Sequence, residues 1–332
     1  MMATNDSLLR IEDLHISFDT YRGKVKALNG MELEIAPNEV MGLVGETGCG
    51  KSVTAFSIVG LLDEKAVVDR GHIWFEGEDL TRKSEKEMRQ IRGKRIAMIY
   101  QEPATALNPV LSIEFQLSEV IRLHSPVRLS KAQVNHKALE LLAAVALPDP
   151  QQLLGKYPHE LSGGQRQRVM IAMALSGQPS LIIADEPTTA LDVTTQAEIL
   201  RLMKSMQEQF QTSLLLVTHD LGVVAETCDR VGVMYAGNIV EVGTTKQIFE
   251  EALHPYTQGL LRAIPLVDER RSKLETIPGS VPNLLDPPLG CRFHPRCAKL
   301  APVCQRGERP LLREVDPQHW VACYGLEVNH SG

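Results

Sequence analysis

The chain has 332 residues, of which 43% are hydrophobic and 23% are charged, and its formal net charge is −6. This length and balance are those of a globular protein with a large core, and the net negative charge argues against a nucleic-acid surface. The apolar runs are too short to cross a bilayer, and residues 1–6 lack the basic and apolar segments of a signal peptide. We therefore expect a cytosolic protein without nucleic-acid partners that reaches a membrane only through another protein.

The N-terminal part of the chain predicts short strands. Residues 9–17 alternate partly, and residues 31–35 fully, between apolar and polar side chains, and residues 71–77 form a short run between glycines. Alternation with period two is typical of a strand with one buried face. We therefore expect an antiparallel sheet here, followed by a strand at 41–44 and a helix over 51–62.

Residues 45–52 read Gly-Glu-Thr-Gly-Cys-Gly-Lys-Ser and match the phosphate-binding pattern G-x-x-x-x-G-K-[ST] in full. A predicted strand precedes the motif and a predicted helix follows it, which is the context that the pattern requires. Backbone N–H groups and the helix N-terminus would surround phosphate oxygens, Lys51 would reach the β- and γ-phosphates, and Ser52 would bind Mg²⁺. A glycine-rich turn with a chance Lys-Ser pair is the alternative. The candidate ATP-binding residues of this loop are Glu46, Thr47, Gly48, Cys49, Gly50, Lys51, Ser52 and Val53.

The middle of the chain predicts alternating helices and buried strands. Residues 112–146 have a helical apolar pattern, and residues 181–184 and 213–217 are nearly continuous apolar runs. Such runs fit strands that are covered on both faces in a parallel sheet, and the pattern at 196–210 between them predicts a helix. Residues 231–242 then predict a hairpin.

An acidic pair, Asp185 and Glu186, follows the first of these buried strands. With a phosphate loop upstream, Asp185 is expected to hold Mg²⁺ through water, and Glu186 is placed to polarise the attacking water. The alternative is an ordinary acidic loop after a strand.

Four further features, together with the two above, resemble the nucleotide-binding subunits of ATP-binding cassette (ABC) transporters. Gln101 follows the apolar stretch 96–100, residues 161–165 read Leu-Ser-Gly-Gly-Gln, residues 190–192 read Ala-Leu-Asp, and His219 lies just past a predicted strand. Each feature is common by itself, but their order and spacing are specific. The resemblance covers residues 9–242.

This resemblance implies roles for individual residues. Gln101, in the Q-loop, contacts Mg²⁺ and the attacking water, and His219 is the switch histidine. The implied catalytic residues are Glu186, His219 and Gln101. The implied Mg²⁺ ligands are Ser52, Gln101 and Asp185. The implied signature loop, which contacts ATP bound to a second subunit, is Leu161, Ser162, Gly163, Gly164 and Gln165. The implied D-loop, which couples the two sites, is Ala190, Leu191 and Asp192.

The resemblance also places an aromatic side chain against adenine. Phe18 and Val25 are the candidates in the first loop, and Tyr21 is the alternative to Phe18. An ordinary core aromatic is the competing interpretation.

The implied fold class is α/β: a P-loop NTPase domain of the ABC type, with a RecA-like core, an antiparallel β subdomain and a helical subdomain. We expect this nucleotide-binding domain at residues 8–255, with its helical subdomain at about 102–175, and a small loop-rich, cysteine-containing extension at 256–332. The implied partners are a second ABC ATPase subunit, identical or paralogous, two integral-membrane permease subunits and, indirectly, an extracytoplasmic solute-binding protein. The segment 101–146 is where a membrane partner would press. The chain would then lie on the cytoplasmic face of the inner membrane as a peripheral protein.

The C-terminal region carries the indication of a substrate. His254-Pro255-Tyr256-Thr257 and the cysteine-containing stretch 290–297 are similar to the extension of oligopeptide and dipeptide importer ATPases. This resemblance implies an ATPase that drives peptide uptake. The alternatives are an importer of nickel or another small solute, a peptide exporter, and a soluble ABC ATPase that acts outside transport.

Four cysteines have the spacing C-x₅-C-x₆-C-x₁₈-C near the C-terminus: Cys291, Cys297, Cys304 and Cys323. In a reducing compartment such a group favours a metal site over a disulfide framework. Structural zinc usually has tighter cysteine pairs, whereas four thiolates are enough for a [4Fe–4S] cluster. The resemblance implies such a cluster on these four residues, with zinc and free or disulfide-bonded thiols as alternatives.

Overall fold

A computed structural model describes residues 7–101, 106–189, 191–263 and 276–326. The chain divides into two compact units, which are described separately. The first unit comprises residues 1–36, 41–82 and 217–332, and the second comprises residues 37–40 and 83–216. Across the described ranges, no helix is both long and apolar enough to cross a membrane.

The chain alternates strands and helices. In the described residues, the strands are β1 (Leu9–Thr20), β2 (Gly23–Ile35), β3 (Val40–Val44), β4 (Ala66–Phe75), β5 (Glu78–Asp79), β6 (Ile96–Ile99), β7 (Leu181–Asp185), β8 (Ser213–Thr218), β9 (Arg230–Tyr235), β10 (Asn238–Thr244), β11 (Arg313–Asp316) and β12 (His319–Val321). The helices are α1 (Lys51–Ile58), α2 (Glu85–Ile91), α3 (Ile113–His124), α4 (Lys131–Ala144), α5 (Pro150–Leu154), α6 (Gly163–Leu175), α7 (Val193–Phe210), α8 (Leu221–Thr227), α9 (Thr245–Glu250) and α10 (Pro255–Arg262).

The first unit contains the predicted antiparallel sheet, in the strand order β2-β1-β4-β5. Leu9 pairs with Ile35 on one side and with Phe75 on the other, and all three side chains are buried. The alternation of β1 thus buries one face, as period-two patterning predicts. Strand β4 begins earlier than the run between glycines suggested.

Five further strands lie side by side in the first unit, in the order β11-β12-β10-β9-β3. Strand β3 is parallel to β9, and β9 and β10 form the predicted hairpin. At the C-terminus, β12 adds to β10 through Val321 opposite Glu241, and β11 adds to β12. The short strands β11 and β12 were not expected in a loop-rich tail, because their side chains lack a clear period.

The second unit places β8, β7 and β6 in that order, and β6 is parallel to β7. All five residues of β7 are buried. The pattern at 112–146 forms two helices rather than one. Pro126 lies between them, and Ser130 caps the second helix by accepting a hydrogen bond from the N–H of Gln133 at 3.3 Å. Proline and an N-capping serine both favour a break at this position.

Buried polar contacts join the C-terminal region to the rest of the first unit. The Glu241 carboxylate is fully buried and accepts hydrogen bonds from the N–H groups of Leu253 and His254 at 2.7 and 3.1 Å. It also contacts the ring of His319 at 2.8 Å. The Arg292 guanidinium donates to the carbonyls of Ala236 and Lys26, and burial lowers its pKa to about 10. Buried polar groups with partners of this kind fix the position of a segment that has few apolar residues.

Candidate active site

The phosphate-loop motif joins the end of β3 to the start of α1, as predicted. Gly50 is the N-cap of α1, with φ at +111°, and Gly45 has φ at +155°. A Cβ at Gly45 would lie 2.1 Å from the carbonyl oxygen of Met234, whereas a Cβ at Gly48 would meet nothing within 4 Å. The loop therefore has glycine where the chain is tightly packed, and its outer side faces open space where a ligand has room.

Lys51 and Ser52 begin the helix. The Lys51 Nζ donates to the carbonyl oxygens of Gly45 at 2.7 Å and Glu46 at 3.3 Å, so the ammonium lies across the loop. Ser52 is exposed in the first turn, and Thr47 is exposed in the loop. Cys49, in contrast, is fully buried, and burial raises the pKa of its thiol. Cys49 therefore offers a backbone N–H rather than a reactive side chain.

The first hairpin brings together the two residues expected near adenine. Phe18 pairs with Val25 across β1 and β2, and Phe18 is half-buried. Tyr21 lies beyond them, at the tip of the hairpin, and is 91% exposed. Phe18 and Tyr21 are thus both accessible to solvent in this hairpin.

In the second unit, the acidic pair lies at the end of β7 as predicted. Asp185 is the last residue of the strand and is 5% exposed. Glu186 follows with φ at +47°, a left-handed conformation that is uncommon for a residue other than glycine and often occurs at functional sites. Its Oε2 accepts hydrogen bonds from Gln101 Nε2 at 3.1 Å and Thr189 Oγ1 at 3.0 Å. The structure thus holds the Glu186 carboxylate in one orientation.

The signature loop begins α6. Ser162 is the N-cap, and its Oγ accepts from the N–H of Gln165 at 3.2 Å while the Gln165 side chain accepts from the N–H of Ser162 at 3.0 Å. This capping box fixes the first turn of the helix. Leu161 anchors the loop, because it is 4% exposed, whereas Ser162 is exposed.

The D-loop packs against the signature helix within the second unit. A Cβ at Gly163 would lie 3.2 Å from Leu191 Cδ2, and a Cβ at Gly164 would lie 2.7 Å from Thr195 Cγ2. Asp192 caps α7, and hydrogen bonds from the N–H and hydroxyl of Thr195 hold the pKa of Asp192 below its usual value. Ala190 lies outside the described residues. His219 follows β8 and is exposed, in the first unit.

The C-terminal cysteines lie near enough to one another to affect the pKa of Cys291. Burial raises the pKa of Cys291 to about 12, and the thiols of Cys304, Cys323 and Cys297 add to the rise. Burial also raises the pKa of Cys297 and of Cys323. The N–H of Cys291 donates to the carbonyl oxygen of Cys304 at 3.0 Å. Among the residues that the structure describes, no three His, Cys, Asp or Glu side chains converge closely enough for a single metal ion.

Two residues of the C-terminal region contact the phosphate loop, and sequence reasoning missed both contacts. Arg296 forms a two-pronged ion pair with the Glu46 carboxylate, and the Tyr256 hydroxyl accepts a hydrogen bond from the N–H of Glu46. Tyr256 belongs to the His-Pro-Tyr-Thr motif, and Arg296 lies between the first two cysteines of the C-terminal group. Both residues therefore lie within motifs that the sequence reveals, but the sequence does not reveal that they contact the phosphate loop.

Comparison with known protein families agrees with this geometry. A model described as "ABC transporter" matches residues 28–189, and a model described as "Oligopeptide/dipeptide transporter, C-terminal region" matches residues 240–304. The chain is 48% identical to the probable peptide ABC transporter ATP-binding protein y4tR of Sinorhizobium fredii, over 96% of this chain and 95% of that protein. It is 49% identical to the dipeptide transport ATP-binding protein DppD of Bacillus subtilis, over 91% of this chain and 90% of that protein.

A solved structure supports the same assignment. The ATP-binding cassette MJ0796, described in a dimeric post-hydrolysis state with ADP and Pi, superposes with a TM-score of 0.64 and 26% identity. The match covers 71% of this chain and 98% of that chain. The α/β fold of the P-loop ABC type and its ATPase activity are thereby established. The chain therefore belongs to the ABC transporter family, as an ATP-binding subunit of the oligopeptide/dipeptide group.

Proposed function

We propose that this chain hydrolyses Mg-ATP in order to drive the import of dipeptides or oligopeptides. The observation that carries the proposal is the presence, in one chain, of a cassette with a complete phosphate loop and a C-terminal region that matches the oligopeptide/dipeptide model. Relatives that align over nine-tenths or more of this chain are described as peptide and dipeptide transport proteins.

The nucleotide phosphates bind at the loop that ends at Ser52. N–H groups of residues 46–51 surround the phosphate oxygens, and the N-terminus of α1 adds partial positive charge. Lys51, which already lies over the loop, exchanges its carbonyl partners for the β- and γ-phosphates. Ser52, Gln101 and Asp185 would hold Mg²⁺, which when bound would offset the negative charge of the phosphates. Phe18 or Tyr21, with Val25, packs against adenine.

Hydrolysis depends on positioning and charge rather than on a covalent intermediate. The Glu186 carboxylate polarises the water that attacks the γ-phosphate, and Gln101 and Thr189 orient that carboxylate through their hydrogen bonds. His219 contacts the γ-phosphate side of the site as the switch histidine.

A second subunit completes each site. The N-terminus of α6, with Ser162, Gly163 and Gly164, meets the γ-phosphate of ATP bound to the partner, and Leu191 and Asp192 of the D-loop couple the two sites. The similar cassette MJ0796 is described as a dimer. Two ATP molecules thus hold the dimer closed, and loss of the γ-phosphates lets it open.

The partners follow from this cycle. They are a second ABC ATPase, identical or paralogous, two membrane permeases that contact the segment 101–146, and a solute-binding protein on the far side of the membrane. The chain lies at the cytoplasmic face of the membrane. The nucleotide-binding domain spans residues 8–255 with its helical subdomain at 102–175, and the extension spans residues 256–332.

The proposal also places a [4Fe–4S] cluster at the C-terminal cysteines. The four thiols supply a Cys₄ donor set, and the pKa of Cys291 is raised by burial and by the other three thiols. Cys291, Cys297, Cys304 and Cys323 would hold the [4Fe–4S] cluster, which when bound cross-links the extension. Such a cross-link stabilises a small module with few apolar residues.

Uptake of labelled peptides tests the proposal. A strain that lacks this gene should lose the uptake of a labelled dipeptide and tripeptide, and a plasmid copy should restore it. A Lys51→Ala copy should not restore uptake, whereas a copy with the matched change at the exposed Lys65 should. Normal peptide uptake in the deletion strain, or a loss confined to nickel, would contradict the peptide assignment. Normal uptake with Lys51→Ala would contradict the assignment of the nucleotide site.

A further inference from the structure

The phosphate loop is tied to the C-terminal region at Glu46. Arg296 Nη1 lies 2.6 Å from Glu46 Oε2, and Arg296 Nη2 lies 3.0 Å from Glu46 Oε1. The Arg296 side chain is 4% exposed and the Glu46 side chain 29% exposed. A bidentate guanidinium–carboxylate pair with this much burial constrains both the distance and the orientation of its partners.

The remaining donors of Arg296 fix its guanidinium from the other side. Its Nε donates to the carbonyl oxygen of Pro278 at 2.9 Å, and its Nη2 donates to that of Ile277 at 3.2 Å. Its Nη1 also lies 3.4 Å from the hydroxyl of Tyr235, whose ring is 5.7 Å from the guanidinium carbon. The arginine is therefore a rigid link between the loop and segment 277–278.

The backbone of Glu46 is held as well as its side chain. Its N–H donates to the Tyr256 hydroxyl at 3.0 Å, and its carbonyl accepts from the N–H of Cys49 at 3.2 Å. Tyr256 is fully buried, and its ring packs against Tyr235 with the centroids 4.6 Å apart. A buried and packed ring thus sets the direction of the first peptide group of the phosphate loop.

The same C-terminal segment reaches the opposite end of the proposed nucleotide site. The N–H of Lys26 in β2 donates to the carbonyl oxygen of Leu284 at 2.9 Å, one residue beyond Val25. Segment 277–296 therefore contacts the hairpin expected to hold adenine and the loop expected to hold phosphate.

We propose that Arg296 is a positioning residue for the nucleotide: with Tyr256 it braces Glu46, so that ATP affinity depends on the fold of the C-terminal extension. The inference rests on the proposed nucleotide site. N–H groups bind phosphate well only when they are already aimed at it, and the brace supplies that alignment before the ligand arrives. By linkage, bound nucleotide stabilises segment 291–297 to the same extent that the brace improves binding.

Nucleotide titrations of the purified full-length chain test the brace. Arg296→Met removes the charge and keeps most of the volume, and Glu46→Gln removes the carboxylate. We expect each to raise the Kd for Mg-ADP by about tenfold, which is the scale of one charged hydrogen-bonded pair, and the double variant to be no weaker than either single variant. Arg296→Lys should fall between the wild type and Arg296→Met, since it keeps the charge and loses the two-pronged geometry.

The kinetic signature separates positioning from a merely structural role. Because Arg296 does not touch the reacting atoms, Arg296→Met should raise KM for ATP and leave kcat nearly unchanged. The matched variant is Arg262→Met, which makes the same change at an exposed arginine of the same region. It should bind Mg-ADP like the wild type. A wild-type Kd for Arg296→Met, or additive effects in the double variant, would overturn the proposal.

Hydrogen exchange supplies a readout that is independent of activity. Mg-ADP should slow exchange at residues 291–297 in the wild type and not in Glu46→Gln, and equal protection in both proteins would contradict the linkage. Lys51→Ala, measured in parallel, separates failure of the nucleotide site from failure of the Arg296 contact. If Lys51→Ala binds Mg-ADP normally, the proposed nucleotide site is contradicted. If only Arg296→Met binds normally, the nucleotide site is supported and the positioning role of Arg296 is contradicted.

Discussion

Gln101 Nε2 lies 3.1 Å from Glu186 Oε2, although the two residues are 85 positions apart in the chain. The amide thus orients the carboxylate that we assign to the attacking water. The left-handed backbone at Glu186 and the second hydrogen bond from Thr189 serve the same purpose. Holding the carboxylate in one orientation increases the rate of a reaction that depends on the positioning of its reactants.

Replacement of Glu186 by glutamine should separate binding from hydrolysis. Glutamine keeps the shape and the contact with Thr189 but removes the charge that polarises water. We expect ATPase turnover to fall by roughly 10²-fold or more, with the Kd for ATP within about twofold of the wild-type value. Phosphate release and a binding titration measure the two quantities. The exposed Glu208, changed to glutamine, is the control; near-normal hydrolysis by Glu186→Gln would remove Glu186 from this role.

The packing of Gly164 against Thr195 predicts a variant that can be rescued. An alanine Cβ at position 164 would lie 2.7 Å from Thr195 Cγ2 and displace the start of α6. A shift of this kind should lower ATPase activity at least about tenfold without weakening ATP binding at the phosphate loop. Thr195→Ser deletes the obstructing methyl group and keeps the hydroxyl contact with Asp192, so the double variant should recover most of the activity.

The control for this series is Gly155→Ala, whose Cβ would make only an ordinary contact at 3.7 Å. It should have wild-type activity. A double variant as inactive as Gly164→Ala would show that the defect does not arise from the contact with Thr195.

The cysteine cluster predicts a visible chromophore. Protein purified without oxygen should be brown, absorb at roughly 400 nm and contain about four iron atoms per chain. Cys297→Ser and Cys323→Ser should lose the absorption, whereas Cys228→Ser, at a buried cysteine outside the group, should keep it. A colourless protein with stoichiometric zinc would contradict the cluster and show a zinc site instead. A metal-free protein would show that the four cysteines are free thiols.

His254 predicts a loss of stability in acid. Burial lowers its pKa from 6.5 to about 4, and the nearby Glu241 carboxylate only partly opposes this effect. Between these two values the unfolded chain binds a proton that the folded chain does not, so stability falls as the pH drops from about 6.5 to 4. The loss should approach about 3 kcal/mol.

Urea unfolding at pH 5 and pH 7.5 measures this effect. His254→Asn keeps a side chain that can cap α10 and removes the titration, so its stability should change less between the two pH values than that of the wild type. The exposed His136, changed to asparagine, should leave the wild-type pH dependence intact. An unchanged pH dependence in His254→Asn would show that His254 is not the group responsible.

Local sequence patterns were sufficient to predict the strands, loops and helix starts that carry the motifs. The phosphate loop, the acidic pair after β7 and the capping box at Ser162 each depend on residues within a few positions of one another, so their geometry is encoded where they occur. Helix limits were less accurate: α1 ends at Ile58 rather than at residue 62, and α7 begins at Val193 because Asp192 caps it.

Local sequence patterns did not predict contacts between residues that are far apart in the chain. Strand β12 forms because β10 offers it an edge, and β11 forms on the edge of β12; neither strand has side chains that alternate clearly. The buried contact between Glu241 and His319 likewise joins residues 78 positions apart.

The sequence by itself determined the family, the motifs and the chemistry each motif supports, because residue type and short spacing decide which atoms a loop or helix end presents. Only the tertiary structure decided that Arg296 stands against Glu46, 250 positions away. Neither residue carries a local signal for the other: an ion pair depends on distance in space, and the chain path through the whole first unit sets that distance.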